Sequence, residues 1–321
     1  MFSVNQYAVE IVKEKILPYV EKLNCKTHIL KNGATVIDMG VNMPGGYQAG
    51  KLFVEATIGG MGYVEFGRFK CGAIDLPSID VYIDQPATAT LSNQFSGWKM
   101  QMKEGCLGNI NPIGSGPARS LAYNDVFVKA WTYKDNHHEC VFGAQTQVLP
   151  DESDAEDIAK QCGISPENVY ILAARTGSLT GAIQICSRTV EASISRIQKK
   201  GFDISKVISG FGTCPIPPVI FDEVRAMDRT NTALLYGVDV KYTVDSTDEE
   251  ILACIDQLPF SASKRFGEKF YDLFEEGKHD FYIVDKDIHT VARYTMNNIR
   301  TGNVFTAGEI REDMLEDSLF H

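Results

Sequence analysis

A short apolar run, a turn of small residues and a long helical pattern follow one another between residues 168 and 201. That order constrains the fold more than any other feature of the chain. Residues 168–173 read as a buried strand. Ala174-Arg175-Thr176-Gly177-Ser178-Leu179-Thr180-Gly181 then turns the chain, and its small residues let a ligand approach backbone N–H groups. From about Ser178 onward, Leu179, Ile183, Cys186, Val190, Ile194 and Ile197 recur at spacings of three and four. They form one core-facing stripe of a single predicted helix that ends at Gly201, where glycine suits a left-handed cap. Gln184, Arg188, Glu191 and Ser195 follow the same period on the opposite face. Arg188 and Glu191 are therefore neighbours, i and i+3. Most such pairs are solvated and worth little. Here the base precedes the acid, the poorer order for helix stability, which favours another use. An arginine beside a carboxylate can orient it, tune its pKa and still face a ligand.

The same alternation of strands and helices extends over the chain and predicts a mixed α/β (α+β) fold. With 321 residues, two domains are the expected division, placed at 1–150 and 151–321, either of which can be discontinuous. Residues 3–23 read as an amphipathic helix opened by a Ser3/Gln6 capping box and interrupted at Pro18. Strands are expected over 34–41, 52–58, 62–69 and 78–83, with a hairpin at Gly59-Gly60-Met61-Gly62 joining the second and third. Helices are expected over 118–128 and 151–163, followed by a strand at 207–211 and a hairpin over 233–244. Thr247 and Glu250 cap a helix through Leu258. Residues 266–276 are predicted helical, 281–284 and 304–307 strands, and 311–321 an acidic tail or docking helix.

Composition narrows the class. The chain is 44% apolar and 23% charged, with 27 glycines and a net charge of −11. Such acidity excludes nucleic acid as a general partner. No apolar run approaches the roughly 18–20 residues a membrane helix needs, and the N-terminus lacks secretory features, so the expected setting is the cytoplasm. Eight scattered cysteines without a C-x-x-C pair fit free thiols rather than a disulfide framework or zinc site.

Three local motifs invite a ligand. Gly45-Gly46-Tyr47-Gln48-Ala49-Gly50-Lys51-Leu52 nearly matches a P-loop, but Leu52 replaces the magnesium-binding hydroxyl and the segment is expected to enter a strand. Both failures count against a nucleotide triphosphatase and leave a simple tight turn, or a glycine turn that lines a ligand, as the expected use of the segment. His137-His138-Glu139-Cys140 offers metal-ligand types, but adjacent residues rarely wrap one tetrahedral ion, so no metal is expected there. Gly114, Ser115, Gly116 and Pro117, followed by Arg119, place backbone N–H groups, a hydroxyl and a guanidinium near a helix start, an arrangement that suits a phosphate or carboxylate. An ordinary helix-capping loop accounts for them equally well. Upstream, Gly97-Trp98-Lys99 offers an aromatic face and a cation.

Four segments together resemble the methenyltetrahydromethanopterin cyclohydrolase family. They are Asn111-Pro112-Ile113-Gly114-Ser115-Gly116-Pro117-Ala118-Arg119, residues 174–181 quoted above, Ser187-Arg188-Thr189-Val190-Glu191, and Gly210-Phe211-Gly212-Thr213-Cys214-Pro215-Ile216-Pro217-Pro218. The resemblance runs across essentially the whole chain. It implies two α/β domains with a large pocket between them, a homotrimer, and reversible hydration of N5,N10-methenyltetrahydromethanopterin to the N5-formyl compound. It implies no metal and no redox cofactor, the pterin itself being substrate. Within that chemistry Glu191 is expected as general base, Arg188 as the residue that orients it, and Lys99 as a group that polarises the developing oxygen or binds the pterin carbonyl. Gly114, Ser115, Gly116, Pro117, Arg119, Thr180 and Ser187 are expected to bind substrate. The competing reading is a carrier that binds pterin or nucleotide without transforming it.

Overall fold

A computed structural model of the chain describes residues 2–320. Its twelve strands, in chain order among the described residues, begin with β1 Lys26–Ile29, β2 Thr35–Gly40, β3 Gly62–Cys71, β4 Ile74–Ile83, β5 Trp98–Lys99 and β6 Ile113–Ser115. They continue with β7 Cys140–Gln145, β8 Val169–Ala174, β9 Val207–Pro215, β10 Asp239–Val244, β11 Arg293–Asn298 and β12 Val304–Gly308. The chain divides into two compact units. The first holds residues up to Gly62, Thr88–Gln184 and Val219–Glu223; the second holds Tyr63–Ala87, Ile185–Pro218 and the chain from Val224 onward. Pro150 lies inside the first unit, so the units are discontinuous and do not part there.

The first unit is built on a six-stranded mixed sheet in the order β1-β2-β8-β7-β6-β5. The β2–β8 and β7–β8 pairs are parallel, and the outer pairs are antiparallel. Alternate residues face opposite layers. Ile37, Met39, Val141, Leu172 and Ala174 pack with Ala49, Phe53 and Ala56 of the Tyr47–Thr57 helix and with the N-terminal Val4–Ile11 helix. On the other face Val36, Phe142, Ala144, Ile171 and Ala173 meet Ala155, Ile158 and Ala159 of the Glu152–Cys162 helix. That helix begins with an Asp151–Asp154 capping box and ends at left-handed Gly163.

The second unit carries the other six-stranded mixed sheet, ordered β12-β11-β10-β9-β4-β3. The Thr189–Lys199 helix covers one face with buried Val190, Ile194 and Ile197. The C-terminal Glu312–Phe320 helix docks through buried Leu315 and Leu319. His321, the last residue of the expected tail, lies outside the described residues.

Several expectations require correction. Residues 52–58 belong to the Tyr47–Thr57 helix: the apolar run hid a helical period that Ala49 and Gly50 complete, and the glycine hairpin expected after it is a helix C-terminus. Residues 233–244 split into the end of the Glu223–Gly237 helix and β10. Residues 281–284 form a turn rather than a strand. Residues 118–128 form two short helices, Ala118–Ala122 and Val126–Lys129, parted by left-handed Tyr123 and capped again by Asp125. The amphipathic N-terminal segment leaves α-helix at Ile11 for a π-turn and a 3-10 turn around Pro18. The single helix expected over 178–201 is two, Leu179–Cys186 and Thr189–Lys199.

Candidate active site

The break between those two helices gives Arg188 and Glu191 their geometry. Arg188 N donates to Ile185 O at 3.0 Å, a tight closing turn, and Ala192 N donates to Arg188 O at 2.9 Å as the next helix starts. Arg188 is therefore the N-cap, with φ −76° and ψ 23°, and Glu191 is the third residue of the Thr189–Lys199 helix. A carboxylate in a first turn is favoured by the helix dipole. Arg188 Nη1 donates to Glu191 Oε1 at 3.5 Å. Neither is a surface residue: Arg188 is 7% exposed and Glu191 6%. Burial lowers the Arg188 pKa below the ordinary guanidinium value, and Glu191 and Tyr282 partly oppose it. Ser187, fully buried, lies in the intervening turn.

Close packing holds this turn in place. A Cβ on Gly212 of β9 would lie 2.2 Å from Thr189 Oγ1 and 2.5 Å from Thr189 Cβ. One on Gly210 would stand 3.0 Å from Val190 Cγ1 and from Tyr242 Cε1. Absent side chains at these two positions let the first turn approach the sheet. Ser193 Oγ reaches Thr189 O at 2.6 Å and lies 2.6 Å from Tyr242 Oη, tying the same turn to β10.

The first unit holds the remaining expected residues. Lys99 is exposed on β5, whose partner β6 pairs Lys99 with Ile113 and Trp98 with Gly114. Gly114 and Ser115 are thus strand residues, not loop, and Ser115 pairs with Gly143 of β7. A Cβ on Gly114 would fall 2.2 Å from Phe142 Cζ. Gly116, at φ +98°, donates its N–H to Asn93 O at 2.8 Å. Pro117 has no N–H, and its carbonyl accepts from Asn5 Nδ2 and Ser120 Oγ. Arg119 is fully buried and donates to Asp125 through Nε and Nη2 at 2.9 and 2.8 Å and to Asn93 O through Nη1 at 3.0 Å. The Gly116 amide and the Arg119 guanidinium thus have partners within the fold.

Thr180, also fully buried, accepts from Gly46 N at 3.2 Å. It thereby fixes the Gly45-Gly46 turn, in which Gly45 adopts φ +62°. That turn follows β2 and opens the Tyr47–Thr57 helix, so the P-loop-like segment does enter a helix; Leu52 remains its failure. Asp38 Oδ1 accepts from Gly40, Val41 and Asn42 amides and shapes the turn from the other side. His137, His138 and Glu139 bring one ligand atom each within 4.8 Å of one another. The Glu139 carboxylate is held by Lys13 at 2.7 Å and Tyr170 Oη at 3.0 Å, which compete with a cation.

One buried carboxylate escaped the sequence reading. Glu223 Oε1 accepts from Arg175 Nε at 2.7 Å and Gly177 N at 2.9 Å, while Oε2 accepts from Thr176 N at 3.1 Å. The turn expected to offer amides to a ligand offers them to this side chain. No local signal could have shown it, because Glu223 lies 46 to 48 residues away along the chain.

Arg188 and Glu191 thus form a buried ion pair at a helix start. Comparison with known proteins defines the class. The family model described as "Cyclohydrolase (MCH)" matches residues 3–319, and the chain belongs to that family, hydrolases acting on a cyclic amidine. The chain is 37% identical to the methenyltetrahydromethanopterin cyclohydrolase of Methanospirillum hungatei over 98% of both chains. It is 37% identical to the protein of that name from Methanocaldococcus jannaschii, covering 99% of this chain and 98% of the other. With its counterpart in Methanosarcina barkeri it shares 34% identity at the same coverage.

Proposed function

We propose that this chain reversibly hydrates N5,N10-methenyltetrahydromethanopterin to N5-formyltetrahydromethanopterin. The methenyl bridge is an amidinium-like cation whose carbon is already electrophilic. What it lacks is a positioned, activated water. Glu191 takes a proton from that water as the new C–O bond forms and the C=N π electrons pass to nitrogen. In the resulting carbinolamine the bond to N10 breaks, its electron pair staying on N10, which takes the proton back from Glu191. Loss of the hydroxyl proton leaves the formyl C=O, so cation plus water gives neutral product plus one proton. The carbon keeps its oxidation level, and the balance needs no electron acceptor or donor.

Arg188 orients the Glu191 carboxylate toward the water. Lys99 polarises the developing oxygen or binds the pterin carbonyl. The observation that carries this reading is the Arg188–Glu191 contact at 3.5 Å between two side chains that are each almost wholly removed from solvent. A salt bridge placed only for stability has little reason to be buried, because desolvation offsets much of its attraction. A cytoplasmic homotrimer completes the proposal; among the described residues no helix is long and apolar enough to cross a membrane.

The deciding experiment follows the ultraviolet absorbance of methenyltetrahydromethanopterin on adding the protein, with Glu191→Gln as its pair. The amide keeps the shape and removes the base. Turnover should fall roughly 10²–10⁴-fold while the melting curve shows a folded protein. Turnover unaffected by the substitution sinks the mechanism, and pterin binding without turnover by the unaltered chain would make it a carrier.

A further inference from the structure

The Thr189–Lys199 helix lies on the sheet of the second unit through Val190, Ile194 and Ile197, and two hydroxyls interrupt that apolar contact. Ser193 of the helix and Tyr242 of β10 are both buried, at 0% and 2% exposure, and both belong to the second unit. Burying a hydroxyl costs stability unless it is paired, and an alanine facing a phenylalanine would fill nearly the same space without that demand. A serine inside a helix carries a second cost when it bonds back to the preceding turn. Ser193 does so: its Oγ donates to Thr189 O at 2.6 Å. Tyr242 Oη lies 2.6 Å from Ser193 Oγ and 3.2 Å from Val190 O. Burial pushes the Tyr242 phenol pKa well up, so the group keeps its proton and can donate it.

Each hydroxyl has one proton to donate, and that limits the pattern. Ser193 gives its proton to Thr189 O, the shorter of its two carbonyl contacts; the other is Val190 O at 3.2 Å. Tyr242 then donates to Ser193 Oγ, with Val190 O beside it. Both carbonyls belong to the first turn of the helix, and the Val190 carbonyl is half of the peptide that carries the Glu191 N–H. The two hydroxyls thus hold, from the sheet side, the turn on which Glu191 stands. The Tyr242 ring is itself closely seated: a Cβ on Gly210 would lie 3.0 Å from its Cε1.

We propose that Tyr242 and Ser193 are positioning residues for Glu191, acting as one device that fixes the first turn of the Thr189–Lys199 helix on β10. The inference rests on the cyclohydrolase reading for the role of Glu191 and adds to it the two residues that hold the base in place. A fully paired buried hydroxyl network makes its surroundings rigid, and a proton-accepting group loses rate steeply when it is misplaced. Both residues are buried beneath the helix, so their removal displaces the base while leaving substrate binding alone.

The test removes one hydroxyl at a time. Y242F keeps the ring and S193A keeps the helix. Each should lower kcat roughly tenfold, a part of the hundredfold that about 1 Å of misplacement costs, with KM held within about twofold. The double variant Y242F/S193A should lose no more than the worse single one, because the two act together. Tyr294 of neighbouring β11 supplies the control. It is fully buried, its Oη lies 2.9 Å from Thr290 Oγ1, and that hydroxyl donates to Leu258 O rather than to the helix. Y294F should lower the melting temperature about as much as Y242F yet keep kcat within about twofold. An unchanged kcat in folded Y242F and S193A overturns the proposal, as does an equal kcat loss in Y294F or an additive loss in the double variant. Should Y242F not fold, S193A against Y294F makes the same comparison. If the unaltered chain does not turn over the methenyl compound, the cyclohydrolase reading falls by itself. Amide hydrogen exchange over residues 189–193 then decides the tie: Y242F should speed it and Y294F should not, and unchanged exchange in Y242F refutes it.

Discussion

Replacing Gly212 by alanine should cripple turnover without touching any group that moves a proton. The new methyl would sit 2.2 Å from Thr189 Oγ1 and 2.5 Å from Thr189 Cβ, where ordinary contact begins near 3.4 Å. Rotating the Thr189 side chain relieves the first clash but not the second, because Cβ is fixed to the backbone. The first turn of the Thr189–Lys199 helix must therefore withdraw from β9 by about 1 Å, and Glu191 rides on that turn. Displacing a reacting group by that much costs on the order of 10²-fold in rate, while overpacking costs about 1–3 kcal/mol of stability. Gly210 supplies a graded control. Its methyl would meet Val190 Cγ1 and Tyr242 Cε1 at 3.0 Å, a conflict of a few tenths of an ångström, so G210A should lose much less. The double variant T189G/G212A removes both sides of the clash and should recover most of the rate. Initial rates with methenyltetrahydromethanopterin, beside thermal melts, measure both effects. A folded G212A with an unaltered rate would refute the claim that this turn positions the base, as would equal losses in G210A and G212A.

Two further outcomes follow from the buried charges. His289 is held neutral, its pKa lowered from 6.5 to about 4 by burial and then by the Lys286 and Lys199 charges. A depressed histidine opposes folding in acid: the unfolded chain gains a proton near pH 6.5 that the folded chain refuses until about pH 4. Stability should thus fall by roughly 3 kcal/mol across that window and no further below it. Denaturant titrations at both ends should show H289Q lacking that share of the slope, and an identical slope would count against the assignment. Arg119→Met, which leaves the Asp125 carboxylate without its buried partner, should cost about 3–5 kcal/mol in stability. A raised KM with unchanged stability would instead return Arg119 to anion binding.

Legibility in the sequence followed the range of the interactions. Elements set by their own residues were read correctly: the Asp151 cap and Gly163 stop bound one helix, Thr247 and Glu250 form the box seen in the structure, and β-branched runs became β2, β8 and β9. Errors arose where tertiary contacts override local preference. The run 52–58 looks like a buried strand until Ala49 and Gly50 are seen packing, with Ile183 lying 2.8 Å from where a Gly50 Cβ would be. The break at Ser187 and Arg188 has no proline or glycine to announce it, because a turn closed by one Arg188–Ile185 backbone bond uses ordinary residues.

The same distinction explains what was visible of the site. Arg188 and Glu191 could be found because they stand three positions apart, and a helix or its cap brings that spacing together either way. Glu223 could not be found, although its carboxylate accepts three hydrogen bonds from the turn at 175–177, since only the folded chain brings it there. The glycine motifs fell between these cases. Gly114, Gly116, Gly210 and Gly212 stood out in the sequence, and a cradle for an anion was the natural reading for the first pair. In the structure each admits a neighbouring part of the protein: the Phe142 ring, the β7 backbone, the Val190 side chain and Thr189. A glycine reports that something passes close to the backbone without saying whether it is ligand or protein. Two of these glycines set the depth at which a helix lies on its sheet, and through it the position of Glu191. Gly210 and Gly212 thereby place the group proposed as the base.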